Sequence, residues 1–336
     1  MKAAITGWGT ALPPTRLDNH ALAARLDVSE EWIFQRTGIR SRRIVEHETT
    51  TTLAIAASSA ALAKAGIAPD AIDLVIVATT TSEYQLPSTA SLVQAGLGCT
   101  NAGAFDLNAA CSGFLYGLAQ ANSAIESGAC RRVLVCGADT LSTMTDYTDV
   151  HSCILFGDGA GAVVVEATEG AAGLGPFTLR SDGSEPELLY IRSDERLIRM
   201  QGREVYRRAV EAMTSALTEI VDEAGIALDD VALVVAHQAN ARIVEAVAAR
   251  LGIDPVKLVV NIEMVGNTSA ASIPIALAEA ADQGRLVDGD VVAIAAFGAG
   301  FAWGAGVLRW HAVVPKRRAR RRLPALVGTT ALMELT

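Results

Sequence analysis

The chain has 336 residues, 51% hydrophobic and 19% charged, enough apolar mass for one large core or two of roughly 150 residues each. Its 28 Lys and Arg stand against 37 Asp and Glu, a net charge of -9, which gives no general support to nucleic-acid binding. Five Cys without a CxxC or CxxxC pair argue against a disulfide framework or a zinc site, and for a reducing compartment.

Met1 to Gly9 reads as a strand ending in a glycine turn. Its apolar run is too short for a secretory signal, so a cytoplasmic location is expected. An alanine-rich helix is predicted over about 53–65, and it leads into Ala65-Gly66-Ile67-Ala68-Pro69-Asp70-Ala71-Ile72-Asp73-Leu74-Val75-Ile76-Val77-Ala78. After a second helical stretch, about 204–224, the pattern returns without a gap as Ala224-Gly225-Ile226-Ala227-Leu228-Asp229-Asp230-Val231-Ala232-Leu233-Val234-Val235-Ala236-His237. Both copies read as helix, Gly stop, acidic turn and buried strand, which implies two homologous α/β halves, residues 1–170 and 171–310.

Between the copies, Gly103 to Asn108 enters a turn at Ala109-Ala110-Cys111 as a strand, and Ser112 to Glu126 has helical spacing. A thiol near that helix N-terminus meets unpaired N–H groups and the positive end of the dipole, both of which favour thiolate, the species that attacks a thioester carbonyl. Cys99, Cys130, Cys136 and Cys153 read as inert. The continuous apolar runs Val133 to Ala138 and Gly161 to Val165 suit strands covered on both faces, and so a layered α/β architecture. Gly170 to Arg199 is richer in Gly, Pro and charge and marks the crossing between halves.

In the second half, His237 ends the apolar run Val231 to Ala236 and should project from a strand end toward a cleft, with Asn240 opening the next helix. Asn267 stands in a Gly-Asn-Thr-Ser loop before a helical run, 270–280. Val291 to Leu308 is uncharged, but Gly298, Gly300, Gly304 and Gly306 divide it, so a buried hairpin is expected and not a membrane span. Residues 311–336, with Lys316-Arg317-Arg318-Ala319-Arg320-Arg321-Arg322, read as a solvated basic tail.

Cys111, His237 and Asn267 together supply what decarboxylative condensation needs. A thiolate holds an acyl group; when a malonyl thioester loses CO2, two neutral N–H donors stabilise the negative charge on its thioester oxygen. These residues, with Phe156-Gly157-Asp158-Gly159-Ala160-Gly161 and Phe297-Gly298-Ala299-Gly300-Phe301, resemble the ketoacyl-acyl-carrier-protein synthase III family, from about residue 2 to Trp310.

The resemblance implies a thiolase-like α/β fold of two duplicated halves in five αβαβα layers, and a homodimer. It implies that Cys111 is acylated, that His237 and Asn267 bind the malonyl thioester oxygen, and that the Cys111 and Ala299 main-chain N–H groups form the oxyanion hole. Trp32 would stack on the adenine of coenzyme A and Arg36 contact its phosphates, an indole and a guanidinium suited to a purine and phosphates. Asn240 would hold the pantetheine arm, Arg242 sit at the tunnel mouth and Phe297 orient the malonyl unit. Leu86 would reach across the dimer to the partner's acyl pocket. Arg207, Arg208, Arg242 and Arg250 would dock acyl carrier protein by charge steering. Three departures stand out: Val150 where the family places an Arg against adenine, a short Leu189 to Met200 segment, and Ala299 for Gly.

The implied reaction is ping-pong. An acyl-CoA starter loads Cys111, coenzyme A leaves, malonyl-acyl-carrier protein enters, and 3-ketoacyl-acyl-carrier protein and CO2 leave, without metal, flavin or other cofactor and without stable membrane insertion. A starter-unit synthase or acyltransferase of secondary metabolism would share the scaffold. A degradative thiolase needs a second catalytic Cys near the carboxyl end, and Cys153 is the last Cys.

Overall fold

Two long helices end on glycines in nearly the same left-handed conformation, Gly66 at φ 68° and Gly225 at φ 66°. Only a residue without Cβ adopts this freely, and each stop turns the chain through an acidic one-turn helix into a buried strand. The computed structural model describes residues 1–169 and 173–311. The basic run from Lys316 to Arg322 lies outside the described residues.

The first half runs β1 (Lys2–Ala11), β2 (Arg16–Asp18), α1 (Asn19–Leu26), α2 (Glu30–Thr37), β3 (Ser41–Arg43), α3 (Thr50–Ala65), β4 (Leu74–Ala78), α4 (Thr89–Leu97), β5 (Gly103–Leu107), α5 (Gly113–Glu126), β6 (Arg132–Thr140) and β7 (Asp158–Thr168). The second runs β8 (Gly173–Ser181), β9 (Leu189–Ile191), β10 (Ile198–Met200), α6 (Gly202–Glu223), β11 (Val231–Ala236), α7 (Ala241–Leu251), α8 (Ile262–Val265), α9 (Ser272–Asp282), β12 (Val291–Gly298) and β13 (Ala302–Arg309).

The halves share one topology. The first sheet is ordered β1-β7-β6-β4-β5, and the second β11-β12-β13-β8. β4 runs parallel to β6, β6 antiparallel to β7, and β7 antiparallel to β1. β11, β12, β13 and β8 repeat these three relations in the same succession. Where β5 flanks β4 in the first half, the second has only a parallel bridge from Val234 to Leu258. Val291 to Leu308 is the buried β12–β13 hairpin. Among the described residues no helix is long and apolar enough to cross a membrane.

Five layers follow from the packing. α3 and α4 cover the outer face of the first sheet, where Leu53, Ala57, Val93 and Val164 share one cluster. α5 and α9 lie between the sheets, with Phe114, Leu118 and Leu277 against Val135, Val163, Val292 and Ile294. α6 and α7 cover the outer face of the second sheet through Met213, Leu217 and Val247. Apolar residues on both faces of a strand are stable only when both faces are covered, as the continuous runs in the sequence require. Each sandwiched side chain contributes about 1.5–3 kcal/mol, and Leu118→Ala would cost about 2–5 kcal/mol. The α5 and α9 layer therefore carries the site: both helices begin at the same end of the sandwich, one after Cys111 and the other after Asn267.

Candidate active site

Cys111 occupies a single helical turn, Ala110–Ser112, between β5 and α5. Ala110 holds φ 46°, a left-handed conformation costly for a residue with a side chain, and Asn108 Oδ1 supports it by accepting the Ala110 N–H at 3.2 Å. Ser112 Oγ donates to Ala302 O at 2.8 Å and ties the turn to the second half. β12 ends directly against it: a Cβ on Gly298 would stand 2.6 Å from the Cys111 nitrogen, so a glycine is required there for the approach. Cys111 keeps some surface toward a cavity, yet burial pushes its thiol up to about 12. The Ser269 hydroxyl and a backbone N–H pull in the other direction, and the charge of Asp139 adds to the rise. Desolvation thus acts against the helix end, which favours thiolate.

His237 continues from β11, its N–H held by Ala295 O at 2.8 Å. It is buried, and burial pushes its imidazole down to about 3, so the ring is neutral. Ser272 Oγ lies 2.6 Å from Nδ1 and accepts the Gln238 N–H at 3.4 Å. A Ser272 hydroxyl that donates to Nδ1 places the ring proton on Nε2, where it faces away from Ser272.

Asn267 is fixed by its backbone and its side chain. Its N–H donates to Leu155 O and its O accepts from the Gly157 N–H, each at 2.9 Å. Its Oδ1 accepts the Ser269 N–H at 2.9 Å, and its amide donates to Ala239 O at 3.5 Å. The acceptor side of the carboxamide is thus occupied, and N–H remains to be offered to a ligand.

Cys111, His237, Asn267 and Phe297 line one cavity of about 800 Å³ that opens past Trp32, Arg36, Asn240 and Arg242. The remaining residues singled out from the sequence are placed as follows. Gly298 lines the cavity; Ala299, one residue further, is not among the lining residues. The Arg36 guanidinium lies 4.5 Å from the Trp32 ring centroid, so it covers one face of the indole. Asn240 caps α7 by accepting the Arg242 N–H at 2.9 Å and donates to Arg36 O at 3.0 Å, so its side chain already bridges the cavity rim. Leu86 is 86% exposed and stands outside this cavity.

The chain is similar to known proteins over most of its length. Family models described as 3-Oxoacyl-[acyl-carrier-protein (ACP)] synthase III and its C terminal match residues 105–183 and 221–310. A beta-ketoacyl-[acyl-carrier-protein] synthase III of Erythrobacter litoralis is 48% identical over 320 residues, covering 92% of this chain and 100% of that protein. The crystal structure of 3-oxoacyl-[acyl-carrier-protein] synthase III from Aquifex aeolicus VF5 is 46% identical with a TM-score of 0.90, covering 92% of this chain and 100% of that one. The priming beta-ketosynthase of the R1128 polyketide biosynthetic pathway is 36% identical with a TM-score of 0.89, over 93% of this chain and 97% of that one. The chain belongs to the beta-ketoacyl-[acyl-carrier-protein] synthase III family.

For a member of this family, several site residues were not evident in the sequence. Ser272, Ser269 and Asp139 support the reacting groups, and Arg203, Tyr206 and His151 line the cavity. Val150 does not line the cavity; its neighbour His151 does. Leu189 and Met200, at the two ends of the short β9–β10 hairpin, form part of the wall. Of the arginines expected to dock a carrier protein, Arg207 pairs with Glu204 at 3.1 Å and Glu211 at 3.7 Å, and Arg208 pairs with Glu185. Arg242 lies 5.8 Å from the Tyr206 ring centroid, and Arg250 is exposed in the last turn of α7. The Arg207 pairs lie three and four residues along α6 and are legible in sequence, whereas Glu185 is brought to Arg208 only by folding.

Proposed function

We infer that this chain catalyses the decarboxylative condensation of an acyl-CoA starter with malonyl-acyl-carrier protein, giving 3-ketoacyl-acyl-carrier protein, CO2 and coenzyme A and initiating fatty acid synthesis. One observation carries the reading: the thiol, a neutral imidazole and a carboxamide N–H, drawn from both halves, face a single cavity. The 48% and 46% identity to two beta-ketoacyl-[acyl-carrier-protein] synthases III, against 36% to the polyketide priming enzyme, favours this over the secondary-metabolic alternative.

Cys111 sulfur attacks the starter thioester, its proton leaves with the coenzyme A sulfur, and the acyl group stays on Cys111. Malonyl-acyl-carrier protein then places its thioester oxygen between the His237 Nε2–H and an Asn267 N–H. A ring that does not protonate until about pH 3 donates a hydrogen bond without delivering a full proton, so the enolate persists as CO2 departs. The carbanion attacks the Cys111 thioester, the Cys111 and Ala299 N–H groups receive the oxyanion, and collapse releases the product. Phe297, whose ring centroid lies 4.8 Å from that of Phe301, helps exclude water.

Trp32, Arg36 and Asn240 receive the coenzyme A or carrier-bound arm at the rim, and no resident metal or organic cofactor takes part. Arg242 and Arg250 steer an acidic carrier protein more effectively than the ion-paired Arg207 and Arg208. The protein works as a cytoplasmic homodimer. The edge strand β5 and the exposed Leu86 and Phe105 support that assembly, since an unpaired strand edge with apolar neighbours favours a second copy.

The test is incubation with a panel of acyl-CoA species and malonyl-acyl-carrier protein, reading both acyl mass on Cys111 and 3-ketoacyl product. Loading followed by carbon–carbon bond formation supports the reading, whereas loading with transfer to oxygen or nitrogen only would replace it with acyltransfer.

A further inference from the structure

A hydroxyl stands between the reactive sulfur and a buried carboxylate. Ser269 Oγ donates to Cys111 Sγ at 3.4 Å, and the next residue, Ala270, donates its N–H to Asp139 Oδ2 at 3.1 Å. Asp139, at the end of β6, is fully buried. Its Oδ1 accepts from the Thr80 N–H at 2.8 Å and from the hydroxyls of Thr80, Thr81 and Thr79 at 3.0, 3.2 and 3.3 Å. Its Oδ2 accepts the Ala270 N–H at 3.1 Å. Such a set of donors around two oxygens suits a carboxylate, which holds the turn Ser269–Ala271 against the Cys111 turn.

Ser269 itself has φ 51°, a conformation in which glycine would be relaxed. Its side chain therefore costs backbone energy, and what it adds is one hydrogen donated to the Cys111 sulfur.

We propose that Ser269 is a positioning residue for the nucleophile: it donates its hydrogen to the Cys111 sulfur as the thiolate forms, from a turn that the Asp139 carboxylate holds in place. The inference deepens the proposed function and rests on it for the acylation step. A thiolate is a stronger acceptor than a thiol, so the hydrogen bond from Ser269 strengthens as the proton leaves the sulfur. In acylation the Cys111 sulfur–carbon bond forms, the coenzyme A sulfur–carbon bond breaks, and the thiol proton ends on the coenzyme A sulfur; Ser269 keeps its own. Beyond geometry, burial is the main cause of the raised Cys111 pKa, Ser269 lowers it, and the Asp139 charge raises it.

The other groups around the sulfur are the neutral His237 on one side and, along the cavity toward its mouth, Arg36, His151, Arg203, Glu204 and Arg242. β12 carries no charged residue. The acid of α5, Glu126, and the base of β13, Arg309, stand at the far ends of those elements.

The experiment measures the rate of Cys111 alkylation by iodoacetamide against pH on the full chain, read by peptide mass, which needs no condensation substrate. Ser269→Gly and Ser269→Ala should shift the profile to higher pH and slow alkylation at a fixed pH by about tenfold, the effect of about one pKa unit. Asp139→Asn should shift it to lower pH. A Ser269→Gly profile that coincides with that of the parent protein, or moves to lower pH, overturns the proposal. If Asp139→Asn does not fold, by circular dichroism, the two Ser269 variants decide the matter alone. A chain that shows the shift yet makes no 3-ketoacyl product would overturn the proposed function and leave the role of Ser269 toward the thiol intact.

Discussion

The nucleophile turn of the first half and the donor pair of the second meet the same physical condition with opposite results. Burial raises the Cys111 thiol to about 12, away from the thiolate it needs, and lowers His237 to about 3, toward the neutral ring it needs. Low polarity penalises whichever form is charged. One half of the site is thus ready at rest, while the other becomes reactive only with help from a donor or from the arriving substrate. A condensing enzyme gains from that asymmetry, because a free thiolate would react indiscriminately, whereas a neutral donor does no harm while waiting.

The largest break in this comparison removes the sulfur. Cys111→Ala should abolish acyl loading and lower condensation at least about a thousandfold, measured by intact mass and product formation. The donor pair survives in that variant, so release of CO2 from malonyl-acyl-carrier protein should continue; its disappearance would mean that the two halves of the site are not separable.

The converse substitution, His237→Ala, should lower condensation about 10²–10³-fold, the usual cost of one lost donor to a developing oxyanion, while Cys111 still accepts its starter. Loss of loading in that variant would contradict the division of labour.

A pH series sharpens the contrast without mutation. Starting from acylated protein, the condensation rate should show no fall centred near pH 6.5, because the ring stays neutral down to about 3. Alkylation of the free thiol should still be climbing above pH 9, because its midpoint is displaced upward to about 12. His237 has a folded pKa below its unfolded value, so the unfolded chain binds the proton first as pH falls below 6.5. The His237 contribution to stability is therefore intact above 6.5 and is lost progressively as pH falls toward 3. The smallest effect lies at the rim: Trp32→Ala should raise KM for acyl-CoA about 2- to 30-fold, the worth of one cation–π or stacking contact, and leave the malonyl step nearly unchanged.

Much of the architecture was legible from local chemistry. The paired segments after Gly66 and Gly225 told of two halves, and the halves repeat one strand order. The unbroken apolar runs in β6, β7 and β12 told of strands covered on both faces. Cys111, His237 and Asn267 were recognisable as polar residues at element ends, and all three reach the same cavity. The support beneath them was not. Asp139 sits in an apolar strand and reads as one more residue of it, although it gathers donors from residues about 60 and 130 positions away. Ser272 is an ordinary helix-start serine in sequence, and its contact with His237 spans 35 positions.

From sequence alone came the elements, their duplication and the identity of the reacting groups, because backbone conformation, periodicity and side-chain chemistry are local properties. The charge state of Cys111 and His237, the partner of the His237 ring, and the pairing of Arg208 with Glu185 were decided only by the tertiary structure. Each depends on desolvation and on partners brought close by folding, and no single segment of chain contains both members of those pairs.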